Sequence, residues 1–114
     1  MTHTQCSSRD ISTEDTRKAA NLLWKAFLSG DNKVYGPIDK LGLATSPESL
    51  LTALFEIERG LRALLPSEQL GDEADSFFKI MSSIATDAKK GGDCLEEAIK
   101  LAHEIAVKTL AKLK

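Results

Sequence analysis

Four stretches of this chain carry apolar side chains at helical spacing, and each stretch is bounded by residues that start or stop helices. The most regular one lies between Gly71 and Gly91. Its apolar residues share one side of a helical wheel, and its polar residues, Ser76 and Asp87 among them, share the other. A helix of this kind buries one face against its neighbours. The sequence therefore predicts an all-α fold.

The boundaries of these helices follow from caps and breakers. Each stretch begins at a short polar residue that suits the N-cap position: Ser12 or Thr13, Ser46, Asp72 and Asp93. Pro47 follows one of these caps at the first helical position, where proline is favoured. The predicted helices span residues 13–29, 47–65, 73–90 and 94–113.

Short second and third connections predict that the last three helices are sequential antiparallel neighbours. We therefore expect residues 12–114 to form one domain, an antiparallel four-helix bundle in up-down-up-down order. Residues 1–11 are polar and are predicted to be a flexible N-terminus. They lack the pattern of a secretory signal, and the sequence has no apolar run long enough to span a membrane. These features predict a cytoplasmic protein that does not bind membranes.

The first connection, residues 30–46, has no clear helical period. It holds three of the seven glycines, one of the three prolines and the only tyrosine. We predict a long, partly ordered connection between the first two helices, with at most one short helical turn. It contains too many apolar residues for a mobile linker: Val34, Tyr35, Ile38, Leu41 and Leu43. We therefore expect it to pack across the bundle and to cover part of Trp24, Leu51 and Phe55.

Charge and cysteine content exclude other classes of protein. The net charge is −2 and is evenly spread, which does not favour binding to nucleic acid. Cys6 and Cys94 lie far apart in the sequence. They allow one bridge but do not indicate a disulfide framework. The sequence predicts that Cys94 is a partly buried free thiol.

A search for catalytic, metal and cofactor motifs gives none. Residues 31–36 begin like a calcium loop, but Lys33 and Tyr35 replace the oxygen ligands that such a loop needs. Ser76 and Lys79 match a bare Ser-x-x-Lys pattern without the other motifs of the enzymes that use it. We therefore predict no catalytic, metal or cofactor-binding residue and a protein that is not an enzyme.

Several large apolar residues lie off the main helix faces, and together they form a candidate partner-binding patch: Trp24, Leu28, Leu51 and Phe55, with Arg62 at the rim. This patch predicts a small non-enzymatic protein-binding module, such as an adaptor, a regulator, a chaperone or an immunity-type protein. The predicted partner is another protein, and the sequence also allows a homo-oligomer.

Two alternative functions depend on other residues. His103 lies on the last predicted helix, so a histidine-phosphotransfer-like relay with His103 as phosphoacceptor is one of them. That relay predicts an exposed imidazole with basic neighbours. A small carrier of apolar ligands is the other. It predicts an interhelical pocket in place of a filled core, lined by Leu54, Phe77, Phe78 and Met81.

Overall fold

The computed structural model describes residues 6–29, 35–64 and 71–112, and within these ranges every regular element is helical. The elements are a 3-10 turn at Ser7–Asp10 followed by α1 (Thr13–Ser29), α2 (Tyr35–Leu43), α3 (Pro47–Leu64), α4 (Asp72–Lys90) and α5 (Gly92–Ala111). The all-α class is confirmed. The four long helices begin within two residues of their predicted starts.

Two of the predicted N-caps hold as predicted. The Asp15 N–H donates to Ser12 Oγ at 3.1 Å at the start of α1. At the start of α3 the Ser49 N–H donates to Ser46 Oγ at 3.2 Å, and the Ser46 N–H donates back to Ser49 Oγ at 3.0 Å. This reciprocal pairing satisfies donors that a helix N-terminus leaves free.

The other two caps differ from the prediction. Gly71 and Gly91 occupy the N-cap positions of α4 and α5, and neither provides a side-chain cap. Gly91 is the single residue between α4 and α5. It has a φ of 71°, and Gly92 has a φ of 56°. Glycine adopts these left-handed values without steric cost, so the chain enters α5 before it reaches the predicted cap, Asp93.

The core joins all five helices. α1 packs against α4 and α5, α4 packs against α5, and α3 packs mainly against α2 and α4. The largest fully buried side chains are Leu22, Leu23, Ile38, Leu41, Leu50, Ile57, Leu61, Phe77, Ile80, Ile84 and Ile105. No helix among the described residues is long and apolar enough to cross a membrane. The up-down-up-down order of the long helices stays a prediction.

The first connection contains a helix that the sequence pattern did not predict. α2 places Ile38 and Leu41 in the core and packs on α3 and α5. The imidazole Nε2 of His103 on α5 lies 3.2 Å from the Ala44 carbonyl oxygen just beyond α2. The described part of the chain therefore has five α-helices and not four. The nine residues of α2 are too few to show a helical period, and they fold by docking onto their neighbours.

Gly42 marks the closest approach of α2 to α5. A Cβ at this position would lie 3.1 Å from the Cβ of Ala106. We expect Gly42→Val to lower the free energy of unfolding by about 1–3 kcal/mol, because the added methyl groups overpack this contact. Gly36→Val is the matched control, since a Cβ at Gly36 meets nothing within 4 Å. Urea denaturation of both variants checks this, and equal losses would contradict it.

The N-terminal segment is attached to the bundle. Cys6 forms a disulfide with Cys94, and both residues are buried. Arg9 forms an ion pair with Glu97 of α5 at 3.6 Å. Residues 6–11, predicted as part of a flexible N-terminus, therefore form an anchored 3-10 turn and its flanks, and the prediction of a free Cys94 thiol is wrong. Residues 1–5 lie outside the described residues.

Asp87 supplies the second attachment of this segment. Its Oδ1 accepts the Ser7 N–H at 2.8 Å, and its Oδ2 accepts the Ser8 N–H at 2.7 Å. The side chain is completely buried, so the placement of Asp87 on the solvent side of α4 is wrong. The position faces solvent on an isolated helix, but here the N-terminal segment covers it. The covering backbone provides the hydrogen bonds that a buried carboxylate needs.

Candidate protein-binding surface

α3 has one buried side and one open side. Leu50, Ala53, Leu54, Ile57 and Leu61 face the core. On the opposite side four exposed residues follow each other at spacings of four, three and four: Glu48, Thr52, Phe55 and Arg59. This spacing places them within a narrow arc of the helix surface. We call these four residues the outer stripe.

Two large apolar residues stand out on this side of the molecule. Phe55, in the middle of the outer stripe, is 67% exposed, and Leu43 at the end of α2 is 71% exposed. α2 therefore leaves Phe55 largely exposed. Residues 30–46 were expected to cover part of it, and residues 30–34 of that segment lie outside the described residues. Leu51 is half-buried beside Phe55. Exposed apolar side chains that form one patch mark interaction sites, whereas single ones do not.

Three depressions lie along α3, and residues of α2 line two of them. The first has a volume of about 570 Å³, and its lining includes Leu43, Glu48 and Thr52. The second, of about 260 Å³, is lined by Leu51, Thr52, Phe55, Glu56 and Arg59. The third, of about 470 Å³, adds Pro37 and Gly60. The first and second depressions share Thr52, and the second and third share Glu56 and Arg59. We call the lining of all three the α2–α3 surface.

The charged groups of this surface fall into two classes. Glu56 is paired with Lys40 of α2 at 3.3 Å. Glu48 and Arg59, at the two ends of the outer stripe, have no ion-pair partner among the described residues. The surface thus presents an acidic end and a basic end with an aromatic ring between them.

The structure places the predicted patch residues at different sites on the molecule. Leu51 and Phe55 lie on the α2–α3 surface. The Arg62 guanidinium lies 5.7 Å from the ring centroid of Phe78, so it reaches from α3 toward α4, and it stays largely exposed. Trp24 is half-buried and stacks on Phe27 of its own helix at 5.6 Å, and Leu28 is 65% exposed on α1. The described contacts do not join the α1 residues to Phe55.

Sequence reasoning missed Leu43, Glu48 and Arg59 as surface residues. Leu43 lay in a segment without a helical period, so nothing placed it next to α3. The spacing of Glu48, Thr52, Phe55 and Arg59 was readable from the sequence. To identify these four residues as one open surface, one has to know which side of α3 the other helices cover.

The Ser-x-x-Lys pattern forms a contact between helices. Ser76 Oγ donates to Asp15 Oδ1 at 3.2 Å, and Lys79 Nζ donates to Asp15 Oδ2 at 3.3 Å. Ser76 is buried, which corrects its predicted place on the solvent side of α4. Desolvation acts to raise the pKa of Asp15, but hydrogen bonds from Lys79, Ser12 and Ser76 together hold that pKa below its usual value. Both side chains bind the Asp15 carboxylate, so this cluster fastens α4 to α1.

The residues of the two alternative functions have structural contacts. His103 is half-buried, and its Nε2 lies next to the Ala44 carbonyl, which is a position for a donating N–H. Phe77 and Leu54 belong to the contiguous core, and Phe78 and Met81 pack against it. These positions fit packing roles, and neither alternative gains a supporting observation.

No group of three or more His, Cys, Asp or Glu residues in the described ranges has the arrangement of a metal site. Comparisons with protein-family models, with curated proteins and with solved structures give no match for this chain. The argument for function therefore depends on the α2–α3 surface itself.

Proposed function

We propose that this protein is a small non-enzymatic protein-binding module, and that it binds another protein chain through the α2–α3 surface. The observation that carries the proposal is the exposure of Phe55 and Leu43 on adjoining depressions of a shared surface. Aromatic residues that can be fully buried at the centre of an interface supply much of its binding energy. Charged groups at both ends form a polar rim.

Other exposed apolar residues support the choice of surface by contrast. Val107 on α5 and Leu28 on α1 are each 65% exposed, close to the value for Phe55. Neither residue lines any of the three depressions described above. Single exposed apolar residues are normal in proteins, whereas a large ring beside apolar depressions is a feature of binding sites.

The disulfide bears on where the protein works. Disulfides persist in oxidising compartments and are rare in the reducing cytosol. Because Cys6 and Cys94 form one and are both buried, we propose an oxidising environment for the protein in place of the cytoplasm predicted from sequence patterns. A protein in such a compartment can be an adaptor, a regulator, a chaperone or an immunity-type protein.

A photo-crosslinking residue at position 55 tests the proposal. We expect the full chain with this residue in place of Phe55 to form an adduct with a protein chain in its native extract. The same residue in place of Val107 should give no such adduct, because Val107 is equally exposed but lies away from the α2–α3 surface. Mass spectrometry identifies the bound chain. Absence of an adduct at position 55, or equal yields at both positions, would refute the proposal.

Truncation of the ring gives a second measurement. We expect Phe55→Ala to change the free energy of unfolding by no more than about 0.5 kcal/mol, because the side chain is already largely in water. Affinity for the chain captured at position 55 should fall by at least about tenfold. Val107→Ala is the control and should change neither quantity. Severe unfolding of Phe55→Ala would make this residue part of the core and would contradict the proposal.

A further inference from the structure

The outer stripe is complementary to itself, and we infer that the chain that binds it is a second copy of this protein, with the two α3 helices antiparallel. This inference rests on the proposed function, since it names the partner of the same surface. Glu48 lies four residues before Thr52, and Arg59 lies four residues after Phe55. The charges are therefore opposite and equidistant from the centre of the stripe.

A twofold axis between Thr52 and Phe55 brings the two charged ends together. In that arrangement Glu48 of each copy lies opposite Arg59 of the other. The two positions are eleven apart in the sequence, so the two ion pairs stand about 16 Å apart along the helices. Both groups lack an ion-pair partner within the described part of one chain, and the second copy supplies one for each. A twofold interface of this kind uses the same patch on both subunits.

The central residues fit the same arrangement. Phe55 of one copy lies opposite Thr52 of the other. Thr52 and Leu43 line the depression of about 570 Å³ beside it. The ring thus has an apolar depression to enter, which is the arrangement of an interface anchor. The twofold axis repeats this contact, so both exposed rings are buried at once.

A parallel pair of α3 helices has the opposite electrostatics. It places Glu48 against Glu48 and Arg59 against Arg59, and like charges across an interface oppose association. The spacing of four, three and four is also that of two helices packed along a narrow seam. Charge and spacing thus select one orientation and one register.

Charge reversal tests this register directly. Sedimentation velocity of the purified, oxidised full chain up to about 0.5 mM should show a dimer that dissociates on dilution. Glu48→Arg places two arginines opposite each other at both ends, and Arg59→Glu places two glutamates there. We expect each variant alone to have a dimer dissociation constant raised at least about tenfold. Both variants should stay folded, since both side chains are exposed, and their melting temperatures check this.

Mixing the two variants is the decisive measurement. Each copy of Glu48→Arg then offers two arginines to two glutamates of Arg59→Glu, so the mixed dimer regains both ion pairs. We expect its dissociation constant to return to within about threefold of the wild-type value. The control is Asp39→Arg, an exposed charge reversal on α2 at a residue that lines none of the depressions described above. It should leave the dissociation constant unchanged.

The outcomes separate this inference from the proposed function. One outcome is that the wild-type chain stays monomeric up to 0.5 mM and position 55 captures a different protein. The partner is then not a second copy, and the proposed protein-binding function is retained. A dimer that is indifferent to charge reversal at both ends overturns the antiparallel register. If position 55 captures no chain and the protein is monomeric, both the proposed protein-binding function and the proposed dimer are refuted.

Discussion

Removal of the Cys6–Cys94 disulfide is expected to lower the free energy of unfolding by about 4 kcal/mol. The bridge joins residues 88 positions apart, so it closes most of the chain into one loop. In the chain-entropy description, a loop of this length restricts the unfolded chain by about 4–5 kcal/mol. For a domain of this size the melting temperature should fall by about 15 °C.

The double variant Cys6→Ala/Cys94→Ala measures this effect, because alanine keeps both buried positions apolar. Urea denaturation gives the free energy of unfolding, and the wild type measured with and without dithiothreitol provides the internal comparison. The reductant should destabilise the wild type and leave the double variant unchanged. Equal midpoints for the oxidised and reduced wild type would show that the bridge contributes nothing to stability.

Loss of the Asp87 carboxylate is expected to have the next largest effect, about 3 kcal/mol in the oxidised protein. Asp87→Ala leaves the N–H groups of Ser7 and Ser8 without acceptors, and the disulfide one residue away keeps them in place. Each buried donor left unsatisfied costs about 1–3 kcal/mol. Thr86→Ala is the matched control, because Thr86 is the preceding residue of α4 and is exposed. It should cost less than about 0.5 kcal/mol.

A double-mutant cycle separates Asp87 from the disulfide. Without the bridge the N-terminal segment can leave α4, and its N–H groups can then bind water. Asp87→Ala should therefore cost less in the Cys6→Ala/Cys94→Ala background than in the oxidised wild type. Equal costs in both backgrounds would show that Asp87 acts independently of the disulfide, contrary to this description of the N-terminal segment.

The long helices were predictable because their signals are local. The apolar period of α4 and the cap at Ser46 act within one or two turns, so no other part of the chain has to be known. The inner face of α3 followed from the same reasoning, and Leu50, Ile57 and Leu61 are buried as the wheel predicts. Phe55 was correctly separated from that face, and it remains exposed.

The errors lie where two distant parts of the chain meet. Asp87 has the spacing of a solvent-facing residue on α4, and only the N-terminal segment that covers it makes it a buried hydrogen-bond acceptor. Ser76 is buried for a related reason, since it lies against α1, where Asp15 accepts a hydrogen bond from its hydroxyl group. A helical wheel describes one helix in isolation and does not include such covering contacts.

By itself the sequence determined the all-α class, the starts of the four long helices to within two residues, and most of the apolar side of each that faces the core. These features depend on interactions between residues three or four apart. Only the tertiary structure decided that Cys6 meets Cys94, that α2 forms and docks, and that the outer stripe of α3 stays uncovered. Each of these depends on which segments pack together, which is set by burial of apolar surface summed over the whole chain.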